Sequence, residues 1–406
     1  MIKRIQPTPL SGTIPAIASK SMAHRLMICG ALAKEQTNIV CSTTSKDMEA
    51  TRACLDGLFS DGRLPCGESG STLRFLLPVA AALGKTVEFH MEGRLPQRPL
   101  APLDEQLEVH GAKLSRPREG VLRCEGKLTP GAYTLPGDVS SQYISGLLLA
   151  LPLLDGPSAL SVTGKVESEP YIHMTLAAME KFGISIKKEG NVYHIPSCSY
   201  KSPGTVTVEG DWSNAAFWLC AGALGKSVSV SGLERNSLQG DKKIADILQK
   251  FGAKVVWEGD KLTVSPGRLT ACDIDAAEIP DLVPILSVVA SAAEGTTKIY
   301  NAQRLRLKES DRLETVTQML TALGGKVEQR SDGLLITGCP LVGGTVDSCN
   351  DHRIAMSAAI ASVLCREPVT VLDAQAVEKS YPQFWEDFER MQNAECRMQN
   401  GCVSCR

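Results

Sequence analysis

The sequence predicts an α/β protein of two domains, each built from three βαβ-type units. Two periodic features and one compositional feature lead there. A helix-like stretch that ends in Gly and runs into a short strand recurs as "LEVHGAKLS", "MEKFGISIK", "LQKFGAKVV" and "LTALGGKVE". The glycines are Gly111, Gly183, Gly252 and Gly324, at steps of 72, 69 and 72 residues; Gly just past the last apolar-periodic position is a left-handed helix stop. A polar cluster that opens an apolar helix recurs in "GDVSSQYISGLLLALPL", "GDWSNAAFWLCAGALG", "IPDLVPILSVVASAAEG" and "NDHRIAMSAAIASVL". Its aspartates Asp138, Asp211, Asp281 and Asp351 are spaced by 73, 70 and 70 residues and are expected as N-caps. Between these helices lie Val-, Ile- and Thr-rich stretches such as "KSVSVSGL" and "GTTKIYNA", which argue against a purely helical solenoid.

The elements follow in order. "SKSMAHRLMICGALA" and "ESGSTLRFLLPVAAALG" open the chain's helical series in the same style as the later clusters. The first helix of each unit is apolar almost all round and should be buried; the second is amphipathic. A chain of 406 residues exceeds one ordinary core. A net charge of −2 argues against a nucleic-acid coat or a membrane-surface role. The N-terminus lacks a signal-peptide core and no apolar run spans a bilayer. Fourteen cysteines scattered through apolar stretches fit reduced thiols in a cytoplasmic protein. The six histidines suggest no metal cluster.

The polar clusters share a physical property. Each sits at a helix N-terminus, where unpaired N–H groups and the dipole favour an anion. They bring Lys20, Ser21 and Arg25; Ser71 and Arg74; Ser140, Ser141 and Gln142; His352 and Arg353, with Arg94, Arg98 and Lys379 before other helices. "RLRLKESDR" (304–312) is the densest charge cluster: a strand there would place Arg304, Arg306 and Lys308 on one face, with Glu309 in their midst.

With these residues in view, the chain resembles the 5-enolpyruvylshikimate-3-phosphate synthase family of enolpyruvyl transferases. Nine motifs stand in the family's order between Gly12 and Phe384: "SKSMAHR", "ESGSTLR", "RLPQRP", "GDVSSQY", "ESEPYI", "IPD", "LRLKESDR", "NDHRIAM" and "EKSYPQF". The resemblance implies the two-domain enolpyruvyl transferase fold, each domain three βαβαββ units around a pseudo-threefold axis. It places residues 18–210 in one domain and 1–17 with 211–406 in the other, 391–406 being a flexible tail.

The resemblance further implies transfer of the enolpyruvyl group of phosphoenolpyruvate to shikimate 3-phosphate with release of phosphate, in a cytoplasmic monomer that needs no cofactor or metal. Shikimate 3-phosphate would meet Lys20, Ser21, Arg25, Ser140, Ser141, Gln142, Ser168, Tyr171, Asp281 and Lys308. Phosphoenolpyruvate, and the inhibitor glyphosate, would meet Lys20, Gly70, Arg98, Gln142, Arg312, Arg353 and Lys379. Asp281 and Glu309 are the implied proton-transfer carboxylates, with Lys20 a participant. Two polyanionic substrates account for the cations, since guanidinium groups bind carboxylates and phosphates through two parallel bonds.

The chain departs from the family at several points: Glu68 stands where many members have Asn, Ala18 replaces a common Gly, Ala23 a frequent Ser, and Arg304 an Asn of some members. The tail carries a seven-residue duplication, "RMQNAEC" then "RMQNGCV", ending in a lone CxxC that cannot close a four-ligand zinc site. The related transferases acting on UDP-N-acetylglucosamine typically carry a Cys in the loop that here reads Arg94-Leu95-Pro96-Gln97-Arg98-Pro99. A non-catalytic anion-binding module is disfavoured by Asp281 and Glu309, because pure anion binding calls for no carboxylates.

Overall fold

The computed structural model describes residues 1–393; the first four residues of the duplicated tail fall within them, with Met391 buried in the last helix, and the rest lies outside the described residues. The chain divides into two compact units: an inserted unit, Ala18–Val208, and a split unit, Met1–Ile17 with the residues from Glu209 onward. Each carries three sheets among the described residues.

In the inserted unit, helix α1 (Lys20–Leu32) and α2 (Lys46–Leu58) flank the strand Asn38–Val40, which pairs in parallel with Thr205–Thr207. Then comes a βαβαββ sequence: strand Arg63–Gly67, α3 (Gly70–Ala82), strand Val87–Met91, α4 (Leu103–Val109), and strands Ala112–Arg118 and Val121–Gly126. The first two strands are parallel and the last two close the sheet antiparallel. The pattern repeats with Ala132–Pro136, α5 (Ser141–Ala150), Ser158–Thr163, α6 (Glu169–Lys181), Lys187–Glu189 and Val192–Ile195.

The split unit repeats it again around α7 (Trp212–Leu224) and α8 (Ile244–Phe251), but its first strand, Gly12–Pro15, comes from the N-terminal segment and pairs with Val228–Ser231. The next repeat holds α9 (Val283–Ala292) and α10 (Arg312–Ala322); the last holds α11 (His352–Ala361) and α12 (Phe384–Gln392), with Lys3–Ile5 completing its sheet. Helices α7, α9 and α11 pack on one another at the centre of this unit. An aromatic cluster of Trp218, Tyr381, Phe384, Trp385 and Phe388 seals α12 onto α7, the Trp218 and Phe384 ring centroids 5.3 Å apart.

The helix classes fall as the patterning predicts. α3, α7 and α11 are buried along nearly their whole length, whereas α8 buries Ile244, Ile247, Leu248 and Phe251, one face at helical spacing. The four stop glycines all take positive φ, from 77° to 108°.

Two expectations need correction. Asp211 and Asp351 are N-caps, but α5 is capped by Ser140 rather than Asp138, and Asp281 lies in a 3-10 turn ahead of α9. Residues Gln303–Leu307 form a 3-10 turn and not a strand. There Arg304 donates to the Ala277 carbonyl while Arg306 donates to the Ser331 carbonyl and to Asp311. The alternation of Leu305 and Leu307 therefore does not mark a sheet face: Leu305 is buried and Leu307 exposed.

Candidate functional site

The helix ends of the inserted unit divide into two electrostatic kinds. α1, α3 and α5 are capped by Ser19, Ser69 and Ser140, with no acidic residue in the first turn. α2, α4 and α6 carry Asp or Glu there. The buried helices thus keep the positive potential of their N-termini unspent, and the peripheral ones neutralise theirs.

Lys20 opens α1 and its Nζ donates to Asp47 Oδ2 at 2.8 Å, holding the ammonium against the first turn of α2. Ser21 follows it, and Arg25 lies one turn on, fully buried. The Arg25 Nε donates to Thr175 Oγ1 at 2.8 Å and Nη2 to the Tyr171 carbonyl at 2.8 Å; Nη1 donates to the Ser21 carbonyl. Arg74, on α3, donates to Gln142 Oε1 at 3.0 Å and to the Pro99 carbonyl at 3.3 Å. Among the described residues no carboxylate pairs with either guanidinium. Burial pushes both pKa values down to about 10, and for Arg74 the nearby Arg98 adds to the effect. A buried cation with only neutral partners is stabilised by an arriving anion.

Gly70 is the first residue of α3. A Cβ there would lie 2.6 Å from Arg74 Nη1 and 2.7 Å from Arg98 Nη1, so only Gly lets two guanidinium groups close on this helix end. Gln142 spans from Arg74 to Ser71, donating to Ser71 Oγ at 2.9 Å. Ser141 begins α5, and Ser168 precedes α6 with φ 55°, a left-handed conformation costly for a non-glycine residue. Tyr171 stands in the first turn of α6 and reaches Arg25 through its carbonyl.

In the split unit one carboxylate organises the cations. Asp281 accepts from Arg312 Nη1 at 2.8 Å and Arg353 Nη2 at 3.1 Å, and Lys308 Nζ lies 3.5 Å away. Burial favours its neutral form, but Arg353, Lys308 and Arg312 overturn that and hold its pKa well below the usual carboxylate range. Arg312 is pinned from behind by Asp351. Glu309 Oε2 lies 2.8 Å from His352 Nδ1, and its Oε1 faces Arg312 Nη2 at 3.8 Å. Lys379 Nζ donates to the Asn350 carbonyl at 2.6 Å.

Glu309, Asp351 and His352 bring ligand atoms within 4.8 Å of one another, a spacing that could hold a metal ion. Arg312 already supplies the positive charge between the two carboxylates. Of the three basic residues of "RLRLK", Lys308 lies near Asp281, while Arg304 donates to the Ala277 carbonyl and Arg306 to Asp311.

Of the expected residues, the structure brings Arg25 to Ser21 and Tyr171, Arg98 to Gly70, and Arg312, Arg353 and Lys308 to Asp281. Sequence reasoning missed Asp47 and Asp351 as the anchors of Lys20 and Arg312, and His352 as the partner of Glu309. Arg74 appeared only as a helix-end cation. Asp351 was legible as a cap, but the pairs Lys20–Asp47 and Arg312–Asp351 join residues far apart in sequence, which no local pattern reveals.

This architecture, with its cation-rich helix ends, is that of an enolpyruvyl transferase. The fold matches an EPSP synthase of Acinetobacter baumannii (TM-score 0.79, 24% identity, 96% of this chain and 98% of that one) and an enolpyruvyl transferase of Streptomyces tendae (TM-score 0.74, 18% identity, 96% and 97%). The chain belongs to the EPSP synthase (3-phosphoshikimate 1-carboxyvinyltransferase) family, whose model matches residues 5–388. It is 41% identical to the 3-phosphoshikimate 1-carboxyvinyltransferase of Clostridium acetobutylicum over 96% of each chain, and 38% identical to that of Clostridioides difficile over 96% of this chain and 97% of that one.

Proposed function

We propose that this protein transfers the enolpyruvyl group of phosphoenolpyruvate to the 5-hydroxyl of shikimate 3-phosphate, giving 5-enolpyruvylshikimate 3-phosphate and phosphate, as a cytoplasmic monomer. Membership of the family supports the reaction. The observation that carries it onto these residues is the buried Arg25 guanidinium, whose hydrogen-bond partners among the described residues are uncharged, with Arg74 in the same state against the assigned Gln142 and Gly70. Such groups suit polyanionic substrates. Among the described residues no helix is long and apolar enough to cross a membrane.

Shikimate 3-phosphate is assigned to Lys20, Ser21, Arg25, Ser140, Ser141, Gln142, Ser168, Tyr171, Asp281 and Lys308. Phosphoenolpyruvate is assigned to Lys20, Gly70, Arg98, Gln142, Arg312, Arg353 and Lys379. Asp281, held ionised, takes the proton from the 5-hydroxyl as its oxygen bonds to C2 of phosphoenolpyruvate. Glu309 delivers a proton to the C3 methylene, which becomes a methyl in a tetrahedral adduct. The Glu309 carboxylate then takes a proton back from that methyl, the double bond re-forms, and the C2–O bond to phosphate breaks with its electron pair leaving on the phosphate. Arg312, Arg353 and Lys379 stabilise charge on the departing phosphate from fixed positions. Lys20, set by Asp47, assists the proton movement at the hydroxyl.

Phosphate release from phosphoenolpyruvate tests the reading, assayed with shikimate 3-phosphate and separately with UDP-N-acetylglucosamine. Release with the first alone is the expected result; release with the second alone would refute the assignment.

A further inference from the structure

Three helices of the inserted unit are joined near their N-termini by a buried chain of polar side chains. His24 Nδ1 of α1 lies 2.6 Å from Thr51 Oγ1 of α2; Thr51 Oγ1 lies 2.6 Å from Thr72 Oγ1 of α3; and Thr72 donates to Ser69 Oγ at 2.7 Å. All four residues are at most 1% exposed. Ser69 also caps α3, accepting from the Thr72 N–H.

Hydrogen counting limits what this chain can be. Burial, with the charges of Lys20 and Arg25, holds the His24 pKa well below its ordinary value, so the ring is neutral and carries one N–H. Each hydroxyl has one hydrogen, so the direction of one bond constrains the next. That of Thr72 has a second, longer acceptor in the Asp47 carbonyl at 3.5 Å, against 2.7 Å to Ser69, and we take the shorter bond as made. If Nε2 carries the proton, the chain runs inward: Ser69 donates to Thr72, Thr72 to Thr51 and Thr51 to Nδ1. That order consumes the Ser69 hydrogen and strands an N–H, because the buried Nε2 has no partner among the described residues. If Nδ1 carries the proton, the chain runs outward and the stranded atom is an acceptor. Orphaned buried donors are the rarer of the two. The outward order agrees with Thr72 donating to Ser69, and it leaves the Ser69 hydrogen uncommitted beside Gly70.

We propose that His24 is a positioning residue whose Nδ1–H tautomer orients a one-way relay through Thr51 and Thr72. The relay makes the Ser69 hydroxyl a donor to the carboxylate or phosphate bound at the N-terminus of α3. The last step rests on the assignment of Gly70 and Arg98 to phosphoenolpyruvate. Ser69 thereby adds a neutral donor to a helix end already flanked by Arg74 and Arg98. The relay also couples that donor to α1, which carries Lys20 and Arg25.

The tautomer is read from imidazole nitrogen shifts in the full-length, histidine-labelled protein, with His24 assigned by comparison with His24→Asn. The expected result is a neutral ring protonated at Nδ1; a proton on Nε2, or an imidazolium, overturns the relay without recourse to any variant. The donor role is read by kinetics. Loss of one hydrogen bond in Ser69→Ala should raise the KM for phosphoenolpyruvate about three- to tenfold, with kcat and the KM for shikimate 3-phosphate within about twofold. Thr51→Val should raise the same KM by less, and the double variant no more than Ser69→Ala alone, because Thr51 acts through Ser69. Lowered thermal stability with both KM values unchanged, or additive effects, would overturn the donor role. A rise in the KM for shikimate 3-phosphate alone, with the Nδ1–H tautomer present, would overturn the assignment of this helix end to phosphoenolpyruvate and not the relay.

Discussion

Arg312 and Asp351 form a buried two-point pair, with Nε 2.8 Å from Oδ2 and Nη2 3.2 Å from Oδ1 and side chains 2% and 0% exposed. The pair leaves Nη1 to hold Asp281. One aspartate thus serves three structural ends: it caps α11 through the Arg353 N–H, fixes a guanidinium, and through it fixes the carboxylate assigned as the base. Asp351→Asn keeps the size of the side chain but strips the charge that balances Arg312. Removing one partner of a buried pair costs about 3–5 kcal/mol. We expect a large fall in melting temperature, together with reduced turnover because Asp281 loses its brace. A melting temperature within a degree or two of the parent would show that Arg312 is satisfied without Asp351.

Glu309→Gln separates a proton-transfer role from a neutralising one. The neutralising role of a helix-terminal Glu is worth under about 1 kcal/mol, and Gln would leave turnover nearly intact. General acid–base steps are worth on the order of 10²–10⁴-fold, so turnover should fall by about that much. Both KM values should change little, and exchange of solvent deuterium into the phosphoenolpyruvate methylene should slow in parallel. Near-normal exchange in the folded variant would transfer the role to another group, with Lys20 first in line.

Gly70→Ala tests the assigned anion site through space alone. The added methyl would meet the ends of Arg74 and Arg98 at 2.6 and 2.7 Å, and these flexible groups must shift outward. The fold should survive. Inhibition by glyphosate should weaken by a larger factor than the KM for phosphoenolpyruvate rises, since the longer anion needs the space more. Equal factors for the two would place glyphosate elsewhere.

Asp241 gives the fold a pH dependence. Burial above all, then the negative charge of Asp281, raises its carboxyl from an ordinary 3.8 to about 7, against the opposing effects of Arg353 and the Ser213 hydroxyl that donates to it. The folded state therefore binds this proton more tightly than the unfolded one. The group's contribution is fully present below its unfolded value near 3.8 and is lost as pH rises through about 7. Each tenfold difference in proton affinity between the two states is worth roughly 1.4 kcal/mol. Asp241→Asn mimics the protonated form, so its melting temperature should fall less than the parent's between pH 5 and pH 8. Parallel curves would mean that Asp241 does not titrate there.

Some of this protein was legible in its sequence because the determining physics is local. A Gly that stops a helix, a Ser or Asp that caps one, and an apolar face at a 3.6-residue period act within a few residues, and their recurrence every 70 or so residues exposed the repeat. Side chains placed at helix N-termini were legible for the same reason, since a cap and its first turn are contiguous in the chain. Local pattern failed where two readings share it. Leu305 and Leu307 alternate as a strand would, yet Arg304 and Arg306 find carbonyls at Ala277 and Ser331 and turn the segment instead. Only the tertiary structure decided the charge balance. Asp47 meets Lys20 across 27 residues, Asp351 meets Arg312 across 39, and Arg25 and Arg74 meet no carboxylate among the described residues. Whether a cation is already neutralised or stays open to an anion depends on what folding buries beside it, because desolvation and Coulomb attraction act across space, not along the chain.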